Sequence, residues 1–262
     1  MNLPSLPIAH QRALALLANP DAPVNEVGSI LEADPGLTAS LLRAANSAAF
    51  APLKRIGTAH GAIVRVGLVT TRRIVASAAL GQSFTAVKQA GIDVDELWGH
   101  AVATGLLADA SAWADGPRTE AFTAGLLHPI GRLAMAAEAP DLYLKVMERV
   151  GTGESAVEAE IAVFGYDSAE WGAQVARAWD FPAHIVDAVA DCHTGEGSPL
   201  AWVVWNARRI ARDLGYGDGV ERPTEVTFDP KSEDASILAA LNGPRGLAAQ
   251  IAWYSGAMAE AA

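Results

Sequence analysis

The segment Glu120–Leu133 reads EAFTAGLLHPIGRL, and it decides both the fold and the chemistry that this chain can support. Its alanine and leucine residues do not alternate with polar ones as in a half-buried strand, so we predict one helix over residues 120–138. A histidine followed by a carboxylate at a helix end could hold a divalent cation that activates water. Here His128 is followed by Pro129, whose side chain has no donor atom. The rest of the chain must therefore decide between an enzyme and a binding protein.

The composition indicates a soluble helical protein. Of the 262 residues, 51% are hydrophobic, mostly alanine and leucine, and few runs of β-branched residues alternate as strands do. Cys192 is the single cysteine, so no intramolecular disulfide can form and a reducing compartment is expected. The N-terminus lacks the pattern of a secretory signal, and no apolar run approaches ~20 residues. We therefore expect an all-α, cytoplasmic protein that does not contact a membrane.

The charge is distributed unevenly along the chain. Residues 1–90 hold eight Lys or Arg against four Asp or Glu, a balance of +4, whereas the remainder holds 11 against 26, a balance of -15. This asymmetry predicts a net basic N-terminal helical module at 1–90, a net acidic helical module at 91–215, and a loop with a C-terminal helical extension at 216–262. The total of -11 argues against general nucleic-acid binding, which requires clustered cations.

Capping residues and apolar spacing predict the helices. Asp34 followed by Pro35 is a strong helix start, because the carboxylate can cap the first turn and the proline lacks an N–H that would stay unpaired there. The predicted helices cover residues 8–18, 24–33, 35 onward, 58–66, 70–80, 94–113, 120–138, 141–150, 154–164, 168–178, 182–192, 199–214, and 235–259 as one helix or a pair. We expect a hinge or spacer at 82–92 and a loop at 215–231 with a short strand at 225–228.

Several motifs occur in the order of a known family. They are Asp34-Pro35-Gly36-Leu37-Thr38, Ala45-Asn46-Ser47, Ile63 to Leu68, Leu97-Trp98-Gly99-His100, Ala124 to His128, Phe164-Gly165-Tyr166-Asp167 and Trp179-Asp180-Phe181-Pro182. In this order they resemble the HDOD family, bacterial proteins similar to the HD superfamily of metal-dependent phosphohydrolases but usually lacking the full metal set. The resemblance covers residues 3–213 as one HDOD unit. It implies a two-lobed helical body with an N-terminal multi-helix module, an HD-like bundle and C-terminal helices.

The resemblance also assigns the metal-site positions. His100 matches the first histidine of an HD site and His128 the second, while Pro129 stands where the paired aspartate belongs. The distant aspartate of the site matches Arg208, whose guanidinium is no ligand and would repel a cation. The resemblance thus implies a degenerate metal site that has lost more than one ligand.

Two-metal HD proteins use further histidines, and the similar positions here hold Ser168 and His193. We therefore expect no catalytic residue, no metal and no cofactor, but a residual pocket that could hold a small molecule. Its candidate residues are His100, His128, Asp167, Asp191 and His193. A noncanonical metal site around the three histidines stays open. Cys192 beside His193 is expected to be a packed cysteine, because neighbouring helical residues diverge by about 100°.

Five basic residues form the candidate partner-binding cluster of the N-terminal module: Lys54, Arg55, Arg65, Arg72 and Arg73. Guanidinium groups on neighbouring helix faces could bind carboxylate or phosphate. Two interpretations remain open here. The cluster is either a solvated surface with local ion pairs, or an interface for an acidic partner or an anionic ligand such as a nucleotide.

The resemblance implies a function without catalysis. We expect a regulatory or scaffold protein of bacterial signal transduction that binds signalling proteins, with oligomer formation left open. One alternative is a metal-dependent phosphohydrolase or phosphodiesterase with a noncanonical HD site, which requires His100, His128 and His193 to converge. A third interpretation is nucleic-acid binding through the N-terminal basic cluster, which the overall acidity disfavours.

Overall fold

Helices joined by short turns make up the chain. The structure, a computed structural model, describes residues 23–50, 54–111, 118–223 and 225–258 together with His10 and Ala13. The helices in these ranges, numbered in chain order, are α1 (Val24–Ala33), α2 (Pro35–Ala45), α3 (Ala59–Val66), α4 (Leu68–Phe84), α5 (Val94–Ser111), α6 (Arg118–Leu127), α7 (Ile130–Glu138), α8 (Pro140–Gly151), α9 (Ala156–Phe164), α10 (Ser168–Ala178), α11 (Ala183–Ala190), α12 (Pro199–Asp213), α13 (Ala235–Ala240) and α14 (Gly243–Met258). No strand occurs in the described residues, which confirms the all-α prediction.

Side-chain caps fix several helix starts. The Asp34 carboxylate accepts hydrogen bonds from the backbone N–H groups of Gly36 and Leu37 at 2.9 and 3.0 Å, as the sequence predicts for α2. At α9, Ser155 and Glu158 form a reciprocal capping box. The Asp167 cap explains why the predicted start of α10 agrees with the structure. The bounds of α1 also agree, although no side chain caps its first turn.

The prediction of one helix over residues 120–138 is wrong. α6 ends at Leu127 and α7 begins at Ile130, with His128 and Pro129 in the turn between them. Proline lacks the N–H that a helix interior needs, and it disfavours helical backbone at the residue before it. The residue that removes the carboxylate of the motif therefore also places His128 at a break between two helices.

Two further local predictions concern connecting segments. In residues 82–92, predicted as a hinge or spacer, α4 runs to Phe84 and a 3₁₀ helix follows at Thr85–Ala90, where Val87 and Ala90 are buried on the three-residue period of such a helix. Residues 225–228 form no strand, because the backbone N–H groups of residues 227 and 228 instead donate to the carbonyl of Asp213 at the end of α12.

Two predicted helices extend beyond the described residues, the first almost entirely and the second at its end. Of the helix predicted at 8–18, only His10 and Ala13 are described, and both are helical and buried. The predicted helix over 94–113 extends to Ser111 as α5, and its last two residues lie outside the described range.

The central helix of the fold is α5. It is buried on almost every side between Leu97 and Ala108, as expected of a helix that is apolar all round. α6 and α12 pack directly on it. α14 contacts α2, α4 and α5, so the C-terminal segment touches helices on both sides of residue 90. Among the described helices, none is both long and apolar enough to cross a bilayer. The centre of the molecule is therefore where α5, α6 and α12 meet.

Close contact between α5 and α6 depends on glycine. A Cβ atom at Gly125 would lie 2.9 Å from the Cα of Gly105 and 2.9 Å from the carbonyl oxygen of Thr104. Gly125→Ala is expected to lower the free energy of unfolding by about 1–3 kcal/mol, because backbone rather than a flexible side chain must move. Gly99→Ala on α5 is the control, since its Cβ would meet nothing within 4 Å. Urea unfolding that shows equal midpoints for the two variants would contradict this account of the packing.

Candidate functional site

Two imidazoles meet at the centre of the fold. His100 lies on α5 and His128 in the turn after α6, and their rings approach edge to face with centroids 5.2 Å apart. The Nδ1 atom of His100 lies 2.9 Å from the carbonyl oxygen of Tyr216, and that of His128 lies 2.6 Å from the carbonyl oxygen of Gly125. Because a carbonyl only accepts, Nδ1 carries the proton in both rings. Each Nε2 is then left with its lone pair.

Both imidazoles are neutral at pH 7. Burial lowers the pKa of His100 to about 4, although the nearby Asp218 carboxylate opposes the shift. Burial also lowers the pKa of His128 well below its ordinary value, and repulsion from a protonated His100 and from the Arg208 guanidinium adds to the effect. Neutral rings with available lone pairs are the form in which histidine binds metal.

A buried ionic network lies beside the imidazoles. Its centre is Arg132 on α7, whose Nε is 2.9 Å from Glu160 Oε1 and whose Nη1 is 2.8 Å from Asp218 Oδ2. Glu160 also accepts hydrogen bonds from the Tyr143 hydroxyl at 2.8 Å and from the backbone N–H of Ser168 at 2.9 Å. All these side chains are buried. The network therefore ties α7, α8, α9 and the segment after α12 together through one guanidinium group.

The carboxylate of Asp218 is committed to this network. Burial alone would raise its pKa, but Arg132, His100 and Arg208 together hold the pKa of Asp218 well below its usual range. Its Oδ1 accepts from the backbone N–H groups of Val220 and Glu221 at 3.2 and 2.8 Å. Asp218 is therefore ionised, with Oδ1 hydrogen-bonded to the backbone and Oδ2 in an ion pair with Arg132, so it is not placed as a free metal ligand.

Arg208, which the resemblance matches to the distant ligand of an HD site, lies close to both imidazoles. It extends from α12 with 13% of the side chain exposed, and its Nη2 lies 3.9 Å from Asp218 Oδ2. Its positive charge lowers the pKa of both His100 and His128. A fixed cation close to both imidazoles opposes a metal ion at the same point.

The remaining predicted pocket residues form a separate pair. His193 Nδ1 lies 3.0 Å from Asp167 Oδ2, and Asp167 also caps α10 through the backbone N–H of Glu170. Burial is the largest single influence on Asp167 and raises its pKa, but the hydrogen bonds from His193 and from the backbone N–H groups of Ala169 and Glu170, with the nearby His193 charge, together leave the pKa lowered. His193 is close enough for its charge to contribute to the lowered pKa of His128. Asp191, in contrast, ends α11, and its backbone carbonyl accepts from the N–H groups that follow.

The donor set does not fit the metal of an HD site. His100 and His128 converge, but Pro129 supplies no carboxylate and Arg208 stands where the fourth ligand belongs. Within the described part of the chain, no group of three or more His, Cys, Asp or Glu side chains is arranged to hold a metal ion. Cys192 offers no thiolate, because burial raises its pKa to about 11.

The five basic residues of the N-terminal module do not share one face. Arg72 is buried at 4% exposure, and Arg73 pairs with Asp109 while lying 5.0 Å from the ring centroid of Phe122. Lys54, Arg55 and Arg65 are exposed, and Arg65 donates to the carbonyl of Phe50. A partner could therefore reach Lys54, Arg55 and Arg65, whereas Arg72 and Arg73 contribute to packing and local pairing.

Three members of the network were not found from the sequence. Arg132 and Glu160 look like surface charges of amphipathic helices, and Asp218 lies in a segment that reads as a loop. One signal was available, because Asp218 stands between two glycines. A Cβ at Gly219, where φ is +77°, would lie 2.5 Å from the carbonyl oxygen of Asp93. Such close backbone contact is typical of a loop that enters the core.

Comparisons with known proteins agree with this architecture. A family model for the HDOD domain matches residues 3–194. A crystal structure of an HDOD domain protein from Geobacter sulfurreducens has a TM-score of 0.75 at 22% identity and covers 100% of this chain and 94% of that one, a likeness of fold. A putative phosphohydrolase from Shewanella amazonensis SB2B has a TM-score of 0.72 at 27% identity, with 99% and 94% covered.

A curated relative is longer than this chain. An uncharacterized protein of Treponema pallidum (strain Nichols) is 26% identical over 203 residues, which are 75% of this chain and 38% of that protein. The chain thus spans well under half the length of that relative. The family model covers most of the chain, and the matched region contains both central histidines, so this protein belongs to the HDOD domain family.

Proposed function

We propose that this protein is a non-catalytic regulatory or scaffold protein of bacterial signalling that acts by binding partners. The observation that carries the proposal is the position of Arg208, a guanidinium beside His100 and His128 where a hydrolase of this fold would need a carboxylate. A guanidinium at that point can take part in buried ion pairs, but it opposes the binding of a metal ion that would act as a Lewis acid. The HD architecture then serves as a scaffold that holds exposed surfaces in a fixed arrangement.

The proposed partners are signalling proteins with an acidic contact surface. Lys54, Arg55 and Arg65 are exposed in the module that carries an excess of positive charge, and guanidinium and ammonium groups favour carboxylates across an interface. Three exposed cations suit a short acidic segment better than a nucleic-acid backbone, which needs a longer run of positive charge. Nucleic-acid binding is therefore not the function that we propose.

A metal-dependent phosphohydrolase is the second candidate. It is favoured by the convergence of His100 and His128, each with an available Nε2, and by the name of the Shewanella relative, a putative phosphohydrolase at 27% identity. It is disfavoured because two imidazoles alone do not hold a hydrolytic metal with the usual three protein ligands. The charge of Arg208 adds to the argument against it.

A turnover assay separates the two candidates. Purified protein would be supplied with Mn²⁺, Fe²⁺, Ni²⁺ or Zn²⁺ and tested on phosphomonoesters, nucleotides and cyclic dinucleotides. We expect wild type to release no more product than His128→Ala, because a histidine that binds no metal contributes nothing to hydrolysis. His60→Ala, at an exposed position on α3, is the control for the substitution itself. Turnover that His128→Ala abolishes and His60→Ala preserves would establish the enzyme and reject the proposal.

A further inference from the structure

One face of α12 carries a pocket lined by arginine and tryptophan. Its volume is about 250 Å³, and its lining residues are Trp205, Arg208, Arg209, Arg212 and Asp213. The other four residues follow Trp205 by three, four, seven and eight positions, so all five lie on one face of the helix. The lining carries three guanidinium groups and one carboxylate in a part of the chain that is otherwise rich in acids. The five lining residues therefore carry a net positive charge.

The three arginines differ in how fully they are paired. Arg209 is committed, since it contacts Asp213, Asp234 and the side chain of Asn206. Arg212 forms one ion pair, with Nη2 2.7 Å from Glu221 Oε2, and 36% of its side chain is exposed. It can therefore turn some of its N–H groups toward the pocket.

Arg208 is the arginine of this pocket with the fewest protein partners. Only 13% of the side chain is exposed, and it forms no hydrogen bond to any described residue. Its nearest carboxylate oxygen, Asp218 Oδ2, is 3.9 Å away and lies closer to Arg132, at 2.8 Å. Unlike Arg132 Nη2, the guanidinium nitrogens of Arg208 are not sealed from solvent, and the residue lines the pocket. An anion in the pocket could replace solvent there and accept charge-assisted hydrogen bonds from Arg208.

Trp205 forms an aromatic wall of the same pocket. A Cβ at Gly195 would lie 3.0 Å from the Cγ and Cδ2 atoms of Trp205, so the glycine backbone lies close against the indole. Gly195 has a φ of +72°, which suits a residue without a side chain. An indole held in this way can stack on a planar ring, while neighbouring guanidinium groups bind the charge of the same ligand.

We propose that this pocket binds a small phosphorylated ligand with a planar ring, the chemistry of a mononucleotide. Arg208 and Arg212 hold the phosphate, and Trp205 stacks on the ring. The pocket is slightly smaller than the ~300 Å³ at which sites for drug-sized ligands begin, which favours one nucleotide unit over two. The inference rests on the proposed function, because the ligand is bound and released unchanged.

Calorimetric titration of the full chain with AMP and GMP tests the proposal, with adenosine and inorganic phosphate as partial ligands. We expect a mononucleotide to bind with a Kd below about 1 mM and more tightly than either partial ligand. Arg208→Ala should weaken mononucleotide binding at least about tenfold, as loss of a charge-assisted hydrogen bond does. Trp205→Ala should weaken mononucleotide binding but not phosphate binding.

Matched variants keep the result independent of folding. Arg212→Ala tests the same pocket at a more exposed side chain, and Arg177→Ala, at an exposed arginine of α10 outside the pocket, should bind as wild type does. Trp202→Ala is the matching aromatic control, since Trp202 is 51% exposed on α12 and does not line the pocket. Circular dichroism would verify that each variant is folded at the titration temperature.

Each outcome of the titration decides something. The proposal is overturned if neither mononucleotide binds, if binding survives unchanged in both Arg208→Ala and Arg212→Ala, or if phosphate alone binds as tightly as AMP. Chromatography of the recovered nucleotide separates this inference from the proposed function. Intact nucleotide supports both, whereas pocket-dependent hydrolysis would uphold the pocket and reject a non-catalytic role.

Discussion

Arg132→Met is expected to lower the free energy of unfolding by about 3–5 kcal/mol, the usual cost of breaking a buried ion pair on one side. Methionine keeps most of the volume of the arginine side chain but none of its charge. Glu160 and Asp218 would then remain buried as carboxylates without their shared cation. The measurement is equilibrium unfolding in guanidinium chloride at pH 7.

The control for this variant is another arginine paired with glutamate. Arg149 lies 2.8 Å from Glu154, but 45% of its side chain is exposed, so Arg149→Met should cost at most about 1 kcal/mol. If both substitutions shift the unfolding free energy equally, Arg132 does not organise the centre of the molecule as described here.

Acid is expected to destabilise the protein as the pH falls from about 6.5 to about 4. The pKa of His100 is lowered to about 4 in the folded state, so the unfolded chain binds a proton that the folded chain does not bind in this window. Unfolding takes up that proton, and lowering the pH therefore favours unfolding. The shift corresponds to about 3 kcal/mol lost across the window. The lowered pKa of His128 acts in the same direction. Below about pH 4, Asp218 is protonated in the unfolded chain but not in the folded one, which lowers the free energy of unfolding further.

Unfolding free energies measured between pH 7 and pH 4.5 test this dependence. His100→Asn removes the titrating ring while its amide N–H can still donate to the carbonyl of Tyr216. The curve of this variant should be flatter than that of wild type. His60→Asn, at an exposed position, should keep the wild-type slope. Parallel curves for wild type and His100→Asn would show that the buried imidazole is not the source of the acid sensitivity.

Local signals explain how much of the fold could be predicted. Caps such as Asp34 act within four residues, so the start of α2 is visible in the sequence and is found in the structure. The break at Pro129 was visible too, but the apolar residues on both sides of it suggested one continuous helix. The 3₁₀ helix at Thr85–Ala90 was not predicted, because the burial of Val87 depends on neighbours that are distant in sequence.

The site was predictable only in part. The family motifs identify His100 and His128, and the structure brings their ring centroids to 5.2 Å. The ionic network is a different case, because the pair of Arg132 and Asp218 joins positions far apart in the chain and leaves no local spacing to detect. Arg208 lowers the pKa of both histidines because it lies close to them, and this closeness results from the packing of α12 on α5. The sequence alone does not show it.

Thermal unfolding of wild type in the presence of Mn²⁺ or Zn²⁺, compared with unfolding in a chelator, tests the central claim most directly. A metal that binds the folded state alone must raise Tm, by an amount that grows with the logarithm of the metal concentration divided by its Kd. Because Arg208 and the network of Arg132 and Asp218 stand where a metal centre would need ligands, we predict the same Tm in all three conditions. A rise in Tm at one metal per chain that disappears in His128→Ala would contradict the account.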